Sequence, residues 1–496
     1  MEILTENTQN LKIANTGKHS LLFFAWILTI DFFFYKEYFG LNALLIAAIS
    51  IPLFGMLKYK NFKNQYWWMV SALWLTTAIG VFVNPTMTAV LSFIISFSIF
   101  AAVSANTRIS IPMSYLHTIH SSLFGIQNYF KSINHFFQQP KNKSKWVTNL
   151  LLIVVPLIVI IVFLKLYQAA DEQFYELTKF INLDWISWGF LMFLALLSFL
   201  FYGFFYFQTS DDFTTFENNL SETVKPSYKD KIQNFLGQEN EKKLATTLLV
   251  SLNLMLLLYN ILDFEFLFNG INDPNRDSNL SQIVHQGIYA LITSIVLVIL
   301  VIVYLFRGHL NESGKGFIKA LTYAWLIQNL LMVFTTITKN YIYVDTWGLT
   351  YLRIGVFIYL ILAVIGIVIT IYKVKYKKSF WFLFKTGSLA FSMTLSVLLV
   401  FNWDRTISNY NTTHLPADKI DYLYLKNLGP DSYYTILQAH KKYNNVPDFI
   451  LLEISEELPD LIYRLEDNKE NLSWLSTNLS DYKLNKELEK VKFNIH

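Results

Sequence analysis

The chain has 496 residues, of which 53% are hydrophobic and only 15% are charged, with a formal net charge of +4. Soluble proteins carry about 25% charged residues, so this composition is typical of a membrane protein. The chain contains no cysteine, which excludes disulfides, cysteine-ligated zinc, iron–sulfur clusters and thiol catalysis. Its basic residues form no compact patch of the DNA-binding kind, so we do not expect a nucleic-acid partner.

A polar leader, residues 1–20, precedes the first apolar run. No small-residue cleavage site follows that run, so we interpret it as a retained membrane helix rather than a signal peptide. About 20 apolar residues cross a bilayer, and the chain offers about eleven such segments: 21–35, 38–57, 66–83, 85–105, 146–168, 184–207, 244–265, 286–306, 317–338, 350–372 and 380–401. Four of them lie in 21–105 and seven in 146–401.

Lysine and arginine are concentrated in alternate gaps between these segments. They crowd the gaps at 58–63, 106–145 and 373–378, whereas the intervening gaps hold few. Basic residues near membrane helices stay on the cytoplasmic side, so we predict a cytoplasmic N-terminus. An odd number of spans then places the C-terminus outside, and one missed or false span would invert that side.

The cytoplasmic gap 106–145 carries a regular apolar pattern. Steps of three and four residues place one stripe on a helix: Leu116, Ile119, Leu123, Ile126, Phe130, Ile133 and Phe137. With basic residues nearby, the pattern predicts an amphipathic helix in the inner membrane surface; the alternative is a helix packed on the bundle or on a second copy. His117 and His120 lie one turn apart, but the gap holds no carboxylate, so we expect no metal there.

The tail, residues 402–496, is polar and of mixed charge, with apolar residues at helical spacing. Pro430 and Pro447, each followed by aspartate, are typical of helix starts. We predict about four short helices that form a small soluble domain on the extracytoplasmic face. The fold class is therefore all-α: a polytopic membrane helix bundle with a C-terminal helical domain, and the lipid bilayer is its first partner.

Ionisable residues in membrane helices are costly and are candidates for function. In the predicted topology, the following residues lie toward the outer ends of their helices: Asp31, Lys165, Asp263, Glu265, Arg353 and Asp404. This distribution indicates an outward-facing polar cavity in which Arg353 pairs with Asp263 or Asp404. The alternative is that each residue reaches water at a helix end. Asn253, Gln328 and Asn329 are expected near the membrane midplane, where amides bond between helices.

Catalytic motifs are absent from the sequence. It contains no glycine-rich phosphate loop, no His-Glu-x-x-His and no Gly-x-Ser-x-Gly. We therefore predict no catalytic residues, no cofactor and no metal, although the residues of an intramembrane site can be scattered along the chain.

Two stretches carry a resemblance to a known family. Trp347–Arg353 begins the tenth segment, and Asn402–Asn411 follows the eleventh. With Asp421-Tyr422-Leu423 and Leu428-Gly429-Pro430-Asp431, they resemble an uncharacterised bacterial polytopic membrane family, a domain of unknown function in the four-one-seven-three group. The matching positions are Gly348, Leu349, Thr350, Arg353, Asn402, Asp404, Tyr410 and Asn411.

Trp347, Tyr351 and Asn409 depart from the family pattern, and the last two replace charged residues, which puts in doubt any family-wide ion pair that uses them. The resemblance implies a bacterial inner-membrane protein and no particular activity.

Three hypotheses for function follow. The first is a non-enzymatic envelope sensor or scaffold that binds an envelope protein through residues 402–496. The second is a transporter or channel for a small solute, entered through the outer cavity. The third is an intramembrane enzyme acting on lipid-linked substrates, with Asp263, Glu265 or Asp404 as acid or base.

Overall fold

The structure, a computed structural model, describes residues 19–138, 145–179, 188–224, 238–269, 293–306 and 316–492, apart from Val296. Most of the predicted leader and the starts of the predicted spans 184–207 and 286–306 lie outside these residues. Within them, all named elements are helices, as the apolar periodicity predicts.

The N-terminal half contains nine α-helices within the described residues. They are α1 His19–Phe34, α2 Leu41–Leu57, α3 Gln65–Val83, α4 Met87–Ala105, α5 Ile111–Gln138, α6 Lys145–Ala170, α7 Glu172–Thr178, α8 Trp188–Phe205 and α9 Asp211–Asn219. Side-chain caps define several starts: the Asn64 side chain accepts from the amide of Trp67 at α3, and Thr86 caps α4 in the same way.

The described part of the C-terminal half contains ten more α-helices. They are α10 Gln238–Asn269, α11 Thr293–Leu305, α12 Gly316–Trp347, α13 Tyr351–Lys375, α14 Phe380–Leu398, α15 Trp403–His414, α16 Tyr422–Lys426, α17 Pro430–Tyr443, α18 Asp448–Asn471 and α19 Leu479–Lys492.

Among the described residues, six helices are long and apolar enough to cross a membrane: α3, α4, α10 over Glu239–Glu265, α12, α13 and α14. The other five predicted spans coincide with shorter apolar helices: His19–Phe34, Leu41–Leu57, Val159–Gln168, Gly189–Phe205 and Thr293–Leu305. The described residues thus form an all-helical structure with several apolar helices whose length and composition are those of a membrane protein, and the total of about eleven spans stays a prediction.

Two apolar cores organise the membrane helices. The first joins α1–α5 and α8 and is rich in aromatic side chains, with Trp67, Trp74 and Phe100 fully buried. The second joins α10–α13. Helix α14 packs on both α3 and α13 and so connects the two groups.

Four loops meet at one end of the bundle, which we call the basic end and define by residues 58–64, 105–110, 208–224 and 376–379; the first and last of these loops carry the lysines at positions 58, 60, 63, 377 and 378. Asn61 Nδ2 donates to the carbonyl of Ser104 (2.8 Å), the Ser110 amide donates to Glu217 Oε1 (3.0 Å), and the Val224 amide donates to the carbonyl of Lys377 (3.0 Å). The structure therefore brings together loops that the charge pattern assigns to one side of the membrane.

Helix α5 packs on α4 and α8, and it does so with its polar face inward. Ser114, His117 and Ser121 are buried, and Ser121 Oγ donates to the carbonyl of Gly203 (2.7 Å). The apolar stripe faces outward and exposes Leu116, Ile119, Leu123, Ile126 and Phe130. The side chains of Ile133 and Phe137 lie outside the described residues.

This arrangement agrees with the alternative prediction of a helix packed on the bundle. His117 Nδ1 accepts from the Ser210 amide (3.3 Å), which gives this histidine a structural role. Within the residues that the structure describes, no group of three histidine or acidic side chains is placed to hold a metal.

Residues 402–492, here called the C-terminal helical region, contain α15–α19. Helix α17 begins at Pro430, and Pro447 directly precedes α18. The core of the region includes Ile407, Ile436 and Ile450 but also Ile354 of α13. The region is therefore packed directly on a membrane helix rather than joined by a linker.

Candidate functional site

The turn between α12 and α13 is held by residues of the first motif. Gly348 adopts φ +82°, a backbone conformation that favours glycine, and a Cβ there would lie 2.6 Å from Asn411 Oδ1. The Thr350 side chain caps α13 by accepting from the Arg353 amide. Asn411 Oδ1 accepts from the Leu349 amide (2.6 Å), and Asn411 Nδ2 donates to the Leu349 carbonyl (3.0 Å). The two motifs are thus joined side chain to backbone.

Arg353 closes the end of α12. Its guanidinium donates to the carbonyls of Trp347 (2.7 Å) and Gly348, and it lies 4.0 Å from the ring centroid of Tyr343. The guanidinium is thus bonded to these carbonyls rather than to the carboxylates of Asp263 or Asp404, with which we predicted a pair. Carbonyls at a helix C-terminus lack partners within the helix and carry partial negative charge, and these two lie within six residues of Arg353.

A charged network ties α15 to α17 and α19. Arg405 forms ion pairs with Asp431 (2.9 Å) and with Glu487, and its side chain is only 12% exposed. Asn402 caps α15 and also donates to Asp431 Oδ2 (2.8 Å). Ser480 Oγ donates to the same carboxylate (2.8 Å). Such charge-assisted bonds are stronger than neutral ones, so this network fixes the packing of the region.

Asp404 points to the other side of α15. Its Oδ1 accepts from the hydroxyl of Tyr351 (2.7 Å). Burial raises the pKa of Asp404; the hydrogen bond from Tyr351 opposes this shift, and the nearby charge of Asp431 adds to it. The contact joins α15 to the first turn of α13.

A further attachment lies near the loop between α1 and α2. Ser476 Oγ donates to Glu37 Oε2 and accepts from the Tyr38 amide (2.8 Å), and the Leu41 amide donates to the Thr477 carbonyl (2.9 Å). Leu475 is buried in the aromatic core of the first helix group. We call the attachments around Asn411, Arg405, Asp404 and Ser476 together the clamp.

A polar ladder joins α10 to α12. Asn253 Nδ2 donates to the Leu321 carbonyl (3.1 Å), and Asn260 Nδ2 donates to the Gln328 carbonyl (3.2 Å). The two donors are seven residues apart on α10 and the two acceptors are seven residues apart on α12 in the same chain direction, so the two helices run parallel. Gln328 also donates to Asn253 Oδ1 (2.9 Å), which confirms the predicted interhelical amide bond. Asn329 instead donates within its own helix, to the Trp325 carbonyl.

The ladder continues to an ion pair. Asp263 accepts from Lys339 and from Thr335 Oγ1, and the side chains of Asp263 and Lys339 are 7% and 13% exposed. Asp263 is therefore neutralised by Lys339, one residue past the predicted ninth span, rather than by Arg353.

The remaining predicted residues are dispersed. Asp31 is fully buried on α1, and neither of its carboxylate oxygens has a hydrogen-bond partner among the described residues. Glu265 is exposed, two residues from Asp263 and on another face of α10. Lys165 is half-buried on α6, which packs on α7. Tyr410 stacks on His414 in α15, with ring centroids 4.4 Å apart. The described side chains thus form separate polar sites rather than one cluster.

Sequence reasoning passed over Arg405, Asp431 and Glu487 as site residues. Arg405 and Asp431 stand inside the quoted motifs, so their opposite charges were an available signal. Glu487 stands in an ordinary charged stretch of 479–492, and only the packing of α19 on α17 brings it to Arg405.

The family model of a domain of unknown function, DUF4153, matches residues 20–439. The chain belongs to this family. The motif comparison had named the four-one-seven-three group, and the matching group is four-one-five-three. The match includes both motifs and ends within α17. No curated protein and no solved structure matches the chain.

Proposed function

We propose that this protein is a non-enzymatic scaffold or sensor whose membrane helix bundle displays the C-terminal helical region to an envelope partner. The observation that carries the proposal is the clamp. Gly348, Arg353 and Asn411 are motif residues, and each is engaged in forming the turn or holding the region against the bundle. Rigid presentation of a surface is what such an attachment achieves.

The contacts of the acidic candidates favour this role over catalysis. Asp263 is bonded to Lys339 and Thr335, Asp404 is bonded to Tyr351, and Glu265 is exposed on another face of α10. A general acid or base must lie within hydrogen-bond reach of the substrate proton. The bonds of Asp263 and Asp404 to other side chains of the protein favour a structural role for these two carboxylates.

The proposed location is the bacterial inner membrane, with the basic end in the cytoplasm and residues 402–496 outside. The supporting observations are that the lysine-bearing loops 58–64 and 376–379 lie at the basic end and that α15–α19 pack at the opposite ends of the helices. Because Lys and Arg remain on the cytoplasmic side, both observations favour this orientation.

Single-cysteine labelling tests the orientation, since the chain has no cysteine of its own. Tyr463→Cys replaces a side chain that is 72% exposed on α18, and Asp212→Cys replaces an exposed residue at the basic end. In intact spheroplasts, an impermeant maleimide should label the first variant only, and both after lysis. Labelling of Asp212→Cys in intact cells would reverse the orientation.

In vivo photo-crosslinking tests the scaffold role. A photoreactive residue replaces Tyr463 in the C-terminal helical region and, as a matched control, Tyr175 of α7, which is also exposed. We expect a discrete adduct with one envelope protein from position 463 only. Adding Glu265→Gln, a change at an exposed carboxylate of α10, should leave this adduct intact, whereas Asn411→Ala should reduce it. No adduct from position 463, or one insensitive to Asn411→Ala, would contradict the role.

One observation favours small-solute transport as a second candidate. The buried Lys339–Asp263 pair lies between two parallel membrane helices, where ionisable residues mark pathways. Transport predicts that Asp263→Asn abolishes a solute flux while the Tyr463 adduct is retained. The scaffold role predicts that this variant changes the stability of the helix pair and nothing at the surface.

A further inference from the structure

A large apolar cavity lies between α1, α4, α5 and α8. Its volume is about 560 Å³, within the range of sites that hold small ligands. Aromatic rings form its wall: the ring centroid of Phe97 lies 5.8 Å from that of Phe201 and 5.3 Å from that of Phe204. Trp26 and Leu197, both buried, complete the inner surface. The sequence motifs at 347–353 and 402–431 lie outside these helices.

The chemistry of the lining defines the occupant. A bound water needs two to four polar partners. The lining offers few: the side chains of Ser122 and Glu37, the indole N–H of Trp26, which already donates to Ser50, and the indole N–H of Trp74, which has no partner among the described residues. A polar solute would leave its own hydrogen bonds unmade. An unfilled cavity of this size would lose dispersion contacts along its whole wall. The lining therefore fits a flexible hydrocarbon chain.

The cavity opens on the outer surface of the helix bundle. Ile94, Ile126 and Leu200 line the cavity and are also 49%, 41% and 51% exposed. They belong to α4, α5 and α8, so the gap between these helices is lateral. In a bilayer, the molecules at such an opening are phospholipids, whose acyl chains can enter from the side.

Glu37 connects the cavity to the clamp. Glu37 and Phe39 line the cavity from the loop between α1 and α2, and Glu37 Oε2 accepts from Ser476 of the C-terminal helical region. Leu475, the preceding residue, is buried in the same aromatic core. A chain in the cavity therefore contacts the side chain that holds residues 475–477 in place.

We propose that this cavity binds one acyl chain of a bilayer phospholipid and that its occupancy stabilises the Glu37–Ser476 attachment. The inference rests on the proposed function in one respect: if the protein is a sensor, the bound acyl chain is the signal that reaches the C-terminal helical region through the Glu37–Ser476 attachment. The ligand class itself depends only on the cavity.

Photo-labelling of the full chain tests this proposal. The protein is reconstituted in vesicles of phosphatidylethanolamine and phosphatidylglycerol that contain a phospholipid with a diazirine on one acyl chain, and adducts are mapped by peptide mass spectrometry. We expect adducts on the buried residues Phe97 and Leu197 in addition to the exposed helix faces. Adducts on exposed faces alone would overturn the proposal.

Matched variants locate the site. Ser122→Trp fills the cavity, and Leu123→Trp adds the same group at the next position, whose side chain is 63% exposed. The buried adducts should be lost in the first variant and kept in the second; their persistence in Ser122→Trp would refute the site. If Ser122→Trp fails to fold, the smaller Ser122→Leu takes its place, and the wild-type map remains decisive.

Hydrogen exchange distinguishes the two levels of the proposal. Loss of the chain in Ser122→Trp should speed exchange at the amides of residues 475–477, while Leu123→Trp should not. Unchanged exchange would refute the coupling and leave acyl-chain binding in place. If buried adducts are absent while the Tyr463 crosslink persists, the inference fails and the scaffold role stands. If buried adducts are present while the Tyr463 crosslink is absent, acyl-chain binding stands and the scaffold role fails.

Discussion

The turn at Gly348 allows a quantitative test of the clamp. In Gly348→Ala, an alanine must adopt φ +82°, a left-handed conformation that costs about 1–2 kcal/mol. Its Cβ would lie 2.6 Å from Asn411 Oδ1 and 2.7 Å from Leu415 Cδ1. Asn411 must therefore move, which breaks its two bonds to Leu349 and leaves buried polar groups unpaired at about 1–3 kcal/mol. The sum is a destabilisation of about 2–5 kcal/mol.

Gly355 and Gly366, both in α13, provide matched controls. A Cβ at either position meets nothing within 4 Å. Because glycine in a helix interior costs about 0.5–1 kcal/mol relative to alanine, Gly355→Ala and Gly366→Ala should be neutral or stabilising.

The assay is denaturant unfolding in mixed micelles, combined with limited proteolysis of residues 402–492. Gly348→Ala should lower the free energy of unfolding and expose the C-terminal helical region to protease, and the two controls should do neither. Equal stability of Gly348→Ala and Gly355→Ala would refute the argument that this turn and Asn411 hold the region.

Other parts of the structure predict four further outcomes. Asp31→Asn should raise the free energy of unfolding, because a neutral amide costs less to bury than a carboxylate that has no partner among the described residues. Asp263→Asn alone should lower the free energy of unfolding by about 3–5 kcal/mol, because it removes the charged partner of Lys339. In a double-mutant cycle, adding Lys339→Met should restore most of this free energy. Gly203→Ala should destabilise the α5–α8 contact, since its Cβ would lie 2.6 Å from the Ser121 carbonyl oxygen, and proteolysis of α5 reports it. Asp404 has a raised pKa in the folded state, so its contribution to stability should fall as the pH rises above the ordinary aspartate value of 3.8, and Asp404→Asn should remove that part of the pH dependence.

Each of these outcomes has a distinct contradiction. A destabilised Asp31→Asn would mean that the acid form makes a bond essential to the fold. A double variant no better than Asp263→Asn would show that Lys339 is not the relevant partner. Normal α5 protection in Gly203→Ala would mean that the two helices separate at little cost. If the stability of Asp404→Asn depends on pH as that of the wild type does, a group other than Asp404 causes that dependence.

The helices themselves could be predicted from the sequence, because hydrophobic run length and capping residues act locally. Apolar runs of membrane length, Asn402 before α15 and Pro430 at the start of α17 all signal their elements within a few residues. The motifs around Gly348 and Asn411 likewise indicated the correct kind of family. The alternation of basic residues also predicted which loops lie together.

Pairings and orientations could not be predicted in the same way, because they depend on which helices become neighbours. The stripe on α5 defines an apolar face, but only its packing on α4 and α8 determines that the polar face, with Ser121 and His117, is buried. Arg353 was assigned to distant carboxylates, whereas nearby carbonyls at the end of α12 satisfy it. Asp263 meets Lys339, and Arg405 meets Glu487, through contacts between residues 76 and 82 positions apart. The sequence by itself determined where the helices lie and which of their ends carry basic residues, because hydrophobicity, capping and flanking charge act over a few residues. Only the tertiary structure decided the partner of each polar group, because a buried charge must be paired and folding determines which group lies beside it.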